Sequence, residues 1–250
     1  MSTDDSPDDE PLFDPRITSY NWLVGVLAGA WAFVVSYLAM GVVVLVPDGP
    51  SENATASEVL TEIGSLTYSA HQVTLDVQTV KDNVAIVSSN MGINSTRIRP
   101  GETVIVNTES GSPVTVIGDN IASIHAYNFD KLNNPIAYAE SKPELLYYLV
   151  PIVILVAAGA MLAWFTLAQD QKIAEAVMPG IALTGGYVVT AILGTFFAGR
   201  ELADGAALLT PNLAQTVVFA LIYALLCATI GSLAVGAYRN QDELRRTFDQ

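Results

Sequence analysis

Four stretches of this 250-residue chain contain no charged side chain, and they decide what the chain can fold into. They lie at 21–46, 145–168, 179–198 and 213–237, and all 25 acidic and 11 basic residues fall outside them. Each is about the 20 residues that a helix needs to cross a bilayer, or longer. The first is too long for the core of a signal peptide and has an acidic flank, so it reads as a retained anchor. The expectation is a mainly α membrane protein: a four-transmembrane-helix bundle with a small α+β extracellular domain, 47–144, inserted between helices 1 and 2. Residues 1–20 read as a disordered acidic tail, and 238–250 as a second tail.

Orientation follows from the basic residues that border the stretches. Arg16, Lys172, Arg239, Arg245 and Arg246 lie on the side of the tails, against Arg200 in the short opposite loop. Lysine and arginine accumulate on the cytoplasmic side, which predicts cytoplasmic tails in a cell membrane and an extracellular long loop. Two glycosylation sequons, at Asn53 and Asn94, lie in that loop and agree with it.

Within 47–144 the pattern changes. Val59, Leu60, Ile63 and Leu66 recur at helical spacing, predicting a helix over 57–71. Val73, Leu75 and Val77 then alternate with polar residues, as do Val104 with Val106 and Val114 with Val116. The turn residues 109–112 between the last two runs predict a hairpin in a mainly antiparallel sheet.

Ser141 and Glu144 read as a capping box opening the second span, Pro151 as a kink within it, and Thr210-Pro211 as the cap and first turn of the fourth. Small residues recur every four positions in span three (Ala182, Gly186, Thr190, Gly194, Ala198) and span four (Ala220, Ala224, Ala228, Ser232, Gly236). Such ridges let helices approach closely in lipid. Spans three and four are expected to pack through them, with a homo-oligomer contact or a substrate groove as the alternatives. Gly25 and Gly29 form a shorter version in span one.

The formal charge of −14 fits a surface that stays hydrated at high salt, the alternative being an acidic patch for a cationic partner. No basic stripe is present to neutralise phosphates, so a nucleic-acid partner is not expected. The single cysteine, Cys227, forms no intrachain disulfide or thiolate cluster. No phosphate loop, zinc motif or nucleophile elbow occurs, so no catalytic, cofactor or metal residue is assigned. Asp76, Asp82, Asp119 and Asp130 read as solvated rather than as calcium ligands.

Tyr68 and His71 are the two candidate residues of the outer segment. His71 reads either as a polar ligand or pH-sensitive contact, or as a ring bonded locally to hold the helix-to-strand junction. His125 reads as a surface or turn residue. The spans themselves hold no ionisable acid or base, which weighs against an ion-coupled pump. Their polar candidates are Tyr37, Thr184, Tyr187, Thr190, Gln215 and Tyr223.

Four segments carry a family resemblance: GVLAGAWAFVVSYLAMG in span one, TYSAHQV at 67–73, LLYYLVP at 145–151, and TPNLAQTVVFALIYALL at 210–226. In these the chain resembles a family of uncharacterised multi-pass membrane proteins of halophilic archaea, sometimes labelled transporters. The family's outer motif reads Tyr-Asn-Ala-His, where this chain has Ser69. The resemblance implies the architecture and a halophilic setting, and no site residue. Two functions stay open: a non-enzymatic envelope protein presenting its outer domain to a protein partner, and a transporter or transporter accessory subunit.

Overall fold

A computed structural model describes residues 20–48, 55–88, 101–111, 123–138, 143–167 and 173–241. The sequons at Asn53 and Asn94, Ser141, Asp119, the run at 114–116 and most of both tails lie outside these residues. The four apolar stretches form four long helices: α1 (Trp22–Asp48), α4 (Glu144–Thr166), α5 (Val177–Thr195) and α6 (Leu213–Arg239). Each is long and apolar enough to cross a membrane. Their outer faces carry exposed Leu, Val, Ile and Phe, while alanine, glycine, serine and threonine fill the contacts between helices.

Spans three and four pack closely together, as expected, but their small-residue ridges also meet the other two long helices. The span-three ridge faces α1: a methyl added at Gly186 would be driven into the Val26 carbonyl, and one at Gly25 into Ala182. The span-four ridge faces α4, where Gly159 meets the Ala228 carbonyl and Gly231 meets that of Val156. A four-residue repeat shows that a helix has a close-packing face, but both neighbours of a helix in a bundle offer one. α5 and α6 themselves pack along their length, with Gly180 against Thr229.

Between α1 and α4 the chain first forms α2 (Ala56–Ala70). Its true start is a capping box that the sequence reading passed over. The Thr55 hydroxyl accepts from the Glu58 amide, and the Glu58 carboxylate accepts from the Thr55 amide. Those hydrogen bonds hold the Glu58 carboxyl below its ordinary range. Every residue of α2 from Ile63 to Ala70 is buried. The helix therefore does not lie on top of the bundle; it enters it, packed against α1 and α4. Gly64 is close to Ala198, and Ile63, Leu66 and Ala70 share a core with Met40, Ile136 and Tyr147.

The strands form two sheets. β1 (Leu75–Thr79) pairs antiparallel with β6 (Ala207–Pro211), which pairs with β5 (Arg200–Leu202). This sheet joins the outer segment to the α5–α6 connection. The β5–β6 turn carries positive φ at Ala203, Asp204 and Gly205, the Asp-Gly signal of a tight hairpin. The second sheet stacks β2 (Val84–Ser88), β3 (Thr103–Asn107) and β4 (Ser123–Tyr127) in parallel.

β3 pairs in parallel with both β2 and β4, so neither of its edges is left for the antiparallel partner expected at 114–116, a run outside the described residues. Alternation identifies a strand but not its partner, and parallel pairing requires connections of a dozen residues or more, as here. The middle strand is covered on both sides. Ile105 joins the bundle core, and Val104 and Val106 pack with Val87. A short helix, α3 (Phe129–Asn133), and a 3-10 turn, Pro135–Tyr138, lead to α4.

Two caps also differ from expectation. The residue capping α4 is Pro143, with no side-chain cap, and the helix continues through Pro151. Pro211 closes β6, and Asn212 caps α6 by accepting from the Gln215 amide. At the far end Arg239 donates to the Leu167 and Trp164 carbonyls (2.5 and 2.7 Å) and lies over the Trp164 ring. It thereby satisfies two terminal carbonyls of α4. Arg239→Ala should lower stability by about 1.5 kcal/mol, the scale of a charged hydrogen bond. Chemical unfolding in detergent would read the change, and an unaltered midpoint would mean water replaces the arginine without loss.

Candidate functional site

The α2 helix ends inside the bundle. His71 is its C-cap, Gln72 takes a left-handed conformation (φ 62°), and the Val73 amide donates back to the Tyr68 carbonyl. In three residues the chain reverses and leaves as β1. A non-glycine residue in this region costs on the order of 1 kcal/mol. Here the turn is held by backbone hydrogen bonds from His71, Gln72 and Val73.

Around that turn three tyrosines converge. The Tyr68 hydroxyl donates to the Ala191 carbonyl of α5 at 2.5 Å, in space left open by Gly194. That glycine makes room for a phenol rather than for a neighbouring helix. His71 Nε2 is 2.6 Å from the Tyr187 hydroxyl, and its Nδ1 is 2.7 Å from the Thr67 carbonyl. A carbonyl only accepts, so Nδ1 carries the hydrogen in the neutral ring, and Nε2 accepts from Tyr187. The imidazole lies against the Tyr187 and Tyr223 rings, with centroids 5.8 and 5.4 Å away. Phe33 of α1 packs edge-on against Tyr187.

This places an ionisable ring far from either end of the long helices. Tyr187 lies eight residues before the end of α5, ~12 Å at 1.5 Å per residue. Tyr223 lies ten residues into α6, ~15 Å from its start. His71 is 3% exposed and Tyr187 fully buried. Burial holds the His71 imidazolium well below its ordinary range, to about 4, with the Thr67 carbonyl opposing, so the ring is neutral at pH 7. Ser36 on α1 sits beside the Tyr187 phenol but outside hydrogen-bonding geometry. It is 1% exposed and has no partner among the described residues.

Both candidates from the outer segment therefore turn into the bundle rather than outward. The local bond expected of His71 exists, to Thr67, but it is only half of what the ring does. The absence of acids and bases from the spans holds for their sequence and fails for their interior, because a neighbouring segment inserts a histidine. Of the polar span residues, Thr184 and Thr190 bond the carbonyls four residues back, Tyr37 bonds the Leu60 carbonyl, and Gln215 accepts from Thr74 of the outer segment. Only Tyr187 and Tyr223 reach the histidine.

His125 stacks on Tyr127 in β4, and Asp76 accepts from Asn212. Among the described residues no group of three His, Cys, Asp or Glu could hold a metal ion. Sequence reasoning missed Ser36 and the role of Tyr187. The signal available was a serine and a tyrosine each placed near the middle of an otherwise apolar span.

Fold and site together define a helical bundle of membrane-spanning proportions, penetrated by a helix and turn from the segment between its first two long helices. Over residues 120–239 the chain is similar to a family of unknown function, DUF7978. That stretch covers β4 to α6, including Tyr187 and Tyr223, and excludes Ser36, Tyr68 and His71. No curated protein and no solved structure matches the chain.

Proposed function

We propose that the chain is a non-enzymatic integral membrane protein of the cell envelope that holds a parallel strand unit outside the membrane for a protein partner. In this reading four helices cross the bilayer, both tails are cytoplasmic, and 47–144 faces outward. The observation that carries it is the attachment of that segment. α2 is buried in the bundle, β1 pairs with β6, and the Ala203 amide donates to the Tyr127 hydroxyl (3.0 Å). A unit fixed at three places is suited to presentation, since its exposed side is held at a set height and angle. Ile86 and Ile124 are large apolar residues left exposed on it, one on each face of the sheet. The acidic composition fits work at high salt.

The test has two arms. With Cys227 replaced by alanine, a cysteine at Ser110 should react with an impermeant maleimide on intact cells, and one at Arg246 should not. Ile86→Arg with Ile124→Arg should release whatever co-purifies with the wild-type protein from native membranes, leaving the unfolding midpoint unchanged. Reversed labelling, or retention by the double variant, would defeat the reading.

A second reading, a transporter or accessory subunit, is favoured by His71 alone, because an ionisable group within a bundle is characteristic of ion and proton pathways. Uptake driven by a pH gradient in vesicles of purified protein would favour it over the first.

A further inference from the structure

One buried hydroxyl beside the His71–Tyr187 pair has no hydrogen-bond partner among the described residues. In the neutral state the histidine accepts from Tyr187, and the Tyr187 hydrogen is thereby used. Ser36, buried beside the same phenol, has a hydroxyl with no hydrogen-bond partner, and its oxygen is free to accept. Buried hydroxyls without partners are uncommon and call for a reason. Adding one proton to His71 supplies it.

We propose that His71, Tyr187 and Ser36 form a proton-binding site, in which Ser36 is the acceptor held in reserve for the protonated state. The proton bonds to Nε2, whose lone pair had accepted from Tyr187. Nε2–H now donates to the Tyr187 oxygen, and the phenol turns its own hydrogen to Ser36 Oγ. No covalent bond breaks, Nδ1–H keeps its bond to Thr67, and the single added charge resides on the imidazolium. The Tyr223 ring centroid is 5.4 Å from the imidazole, within the ~6 Å at which aromatic rings attract a cation.

Among the described residues the surroundings contribute no competing charge. From α1 the ring's neighbourhood receives Phe33 and Ser36, and from α2 Tyr68 and Thr67. α5 supplies Tyr187, and α6 supplies Tyr223, with Cys227 beside both phenols and Tyr148 of α4 beyond Tyr223. The next acid along the chain, Asp76, accepts from Asn212 in the outer sheet. The site is therefore a proton site rather than an ion pair. This inference goes beyond presentation of the strand unit and stands whichever way 47–144 faces.

The test is a histidine-labelled nitrogen spectrum of the full-length protein in lipid nanodiscs, titrated with acid, with His125→Gln assigning the two rings. The wild type should show the Nδ1–H form at neutral pH and a reversible titration of His71. Ser36→Ala should leave the neutral spectrum unchanged, because Ser36 bonds nothing in that state, and should weaken proton binding about tenfold, the worth of one hydrogen bond. Tyr187→Phe should instead shift the Nε2 resonance already at neutral pH, which separates loss of the relay from loss of the direct partner. An unaltered midpoint in Ser36→Ala would overturn the proposal. So would a wild type that unfolds before His71 titrates, since the folded protonated state would then not exist.

Discussion

Alanine at Gly186 should break the seam between α1 and α5, whereas alanine at Gly185, one residue earlier, should strengthen the same helix. A methyl at Gly186 has nowhere to go, because the obstacle is the backbone carbonyl of Val26, which moves only if the two helices separate. Overpacking of this kind costs about 3 kcal/mol, at the upper end of its usual range. At Gly185 the nearest atom is a Val26 methyl at 3.8 Å, an ordinary contact. There the substitution only removes a flexible residue from a helix, a gain of up to about 1 kcal/mol. Unfolding of both variants in the same detergent would read a difference of opposite sign, and equal midpoints would show that α1 and α5 are not in contact.

Between pH 6.5 and 4, acid should destabilise the protein through His71. His71 is neutral in the folded state down to about pH 4, while in the unfolded chain it protonates near its ordinary 6.5. The unfolded state therefore binds the extra proton first. Stability contributed by His71 is complete above pH 6.5 and declines as pH falls towards 4, where the folded state begins to bind the proton as well. At about 1.4 kcal/mol per unit the loss across that window is on the order of 3 kcal/mol. His71→Gln, which carries no titratable ring, should flatten this part of the profile. A variant that tracks the wild type between pH 6.5 and 4 would show that His71 reaches water in the folded protein.

The four long helices were legible because a charge-free run of 20 or more residues has few other uses. β1 was legible from its alternation, and the outer helix from its period. What failed was most of what depended on partners. Val104 and Val106 announced a strand but could not announce parallel neighbours. The small-residue ridges announced the close packing of spans three and four but not that the same ridges would also meet spans one and two. The connection at 199–212 read as a plain loop, although Asp204-Gly205 between apolar alternations is a hairpin signal. The site was half visible. Tyr68 and His71 stood out, yet nothing local to them indicates burial among spans one, three and four, because that follows from where β1 is anchored: its partner is set by Leu75 facing Pro211 across most of the chain.

That same pairing has a consequence for how the protein is made. α2 and β1 leave the ribosome well before the strand and helices that receive them, and the wait for Pro211, at 5–20 residues per second, is on the order of ten seconds. During that interval the buried half of α2, with Tyr68 and His71, has no bundle to enter. The α1–α2 segment must persist as an unfinished hairpin beside the translocation machinery, exposing surface that the mature protein hides completely. Chains arrested before residue 211 should then be recognised by membrane quality control, while those arrested after residue 239 should not, although the two lengths differ only by the final helix.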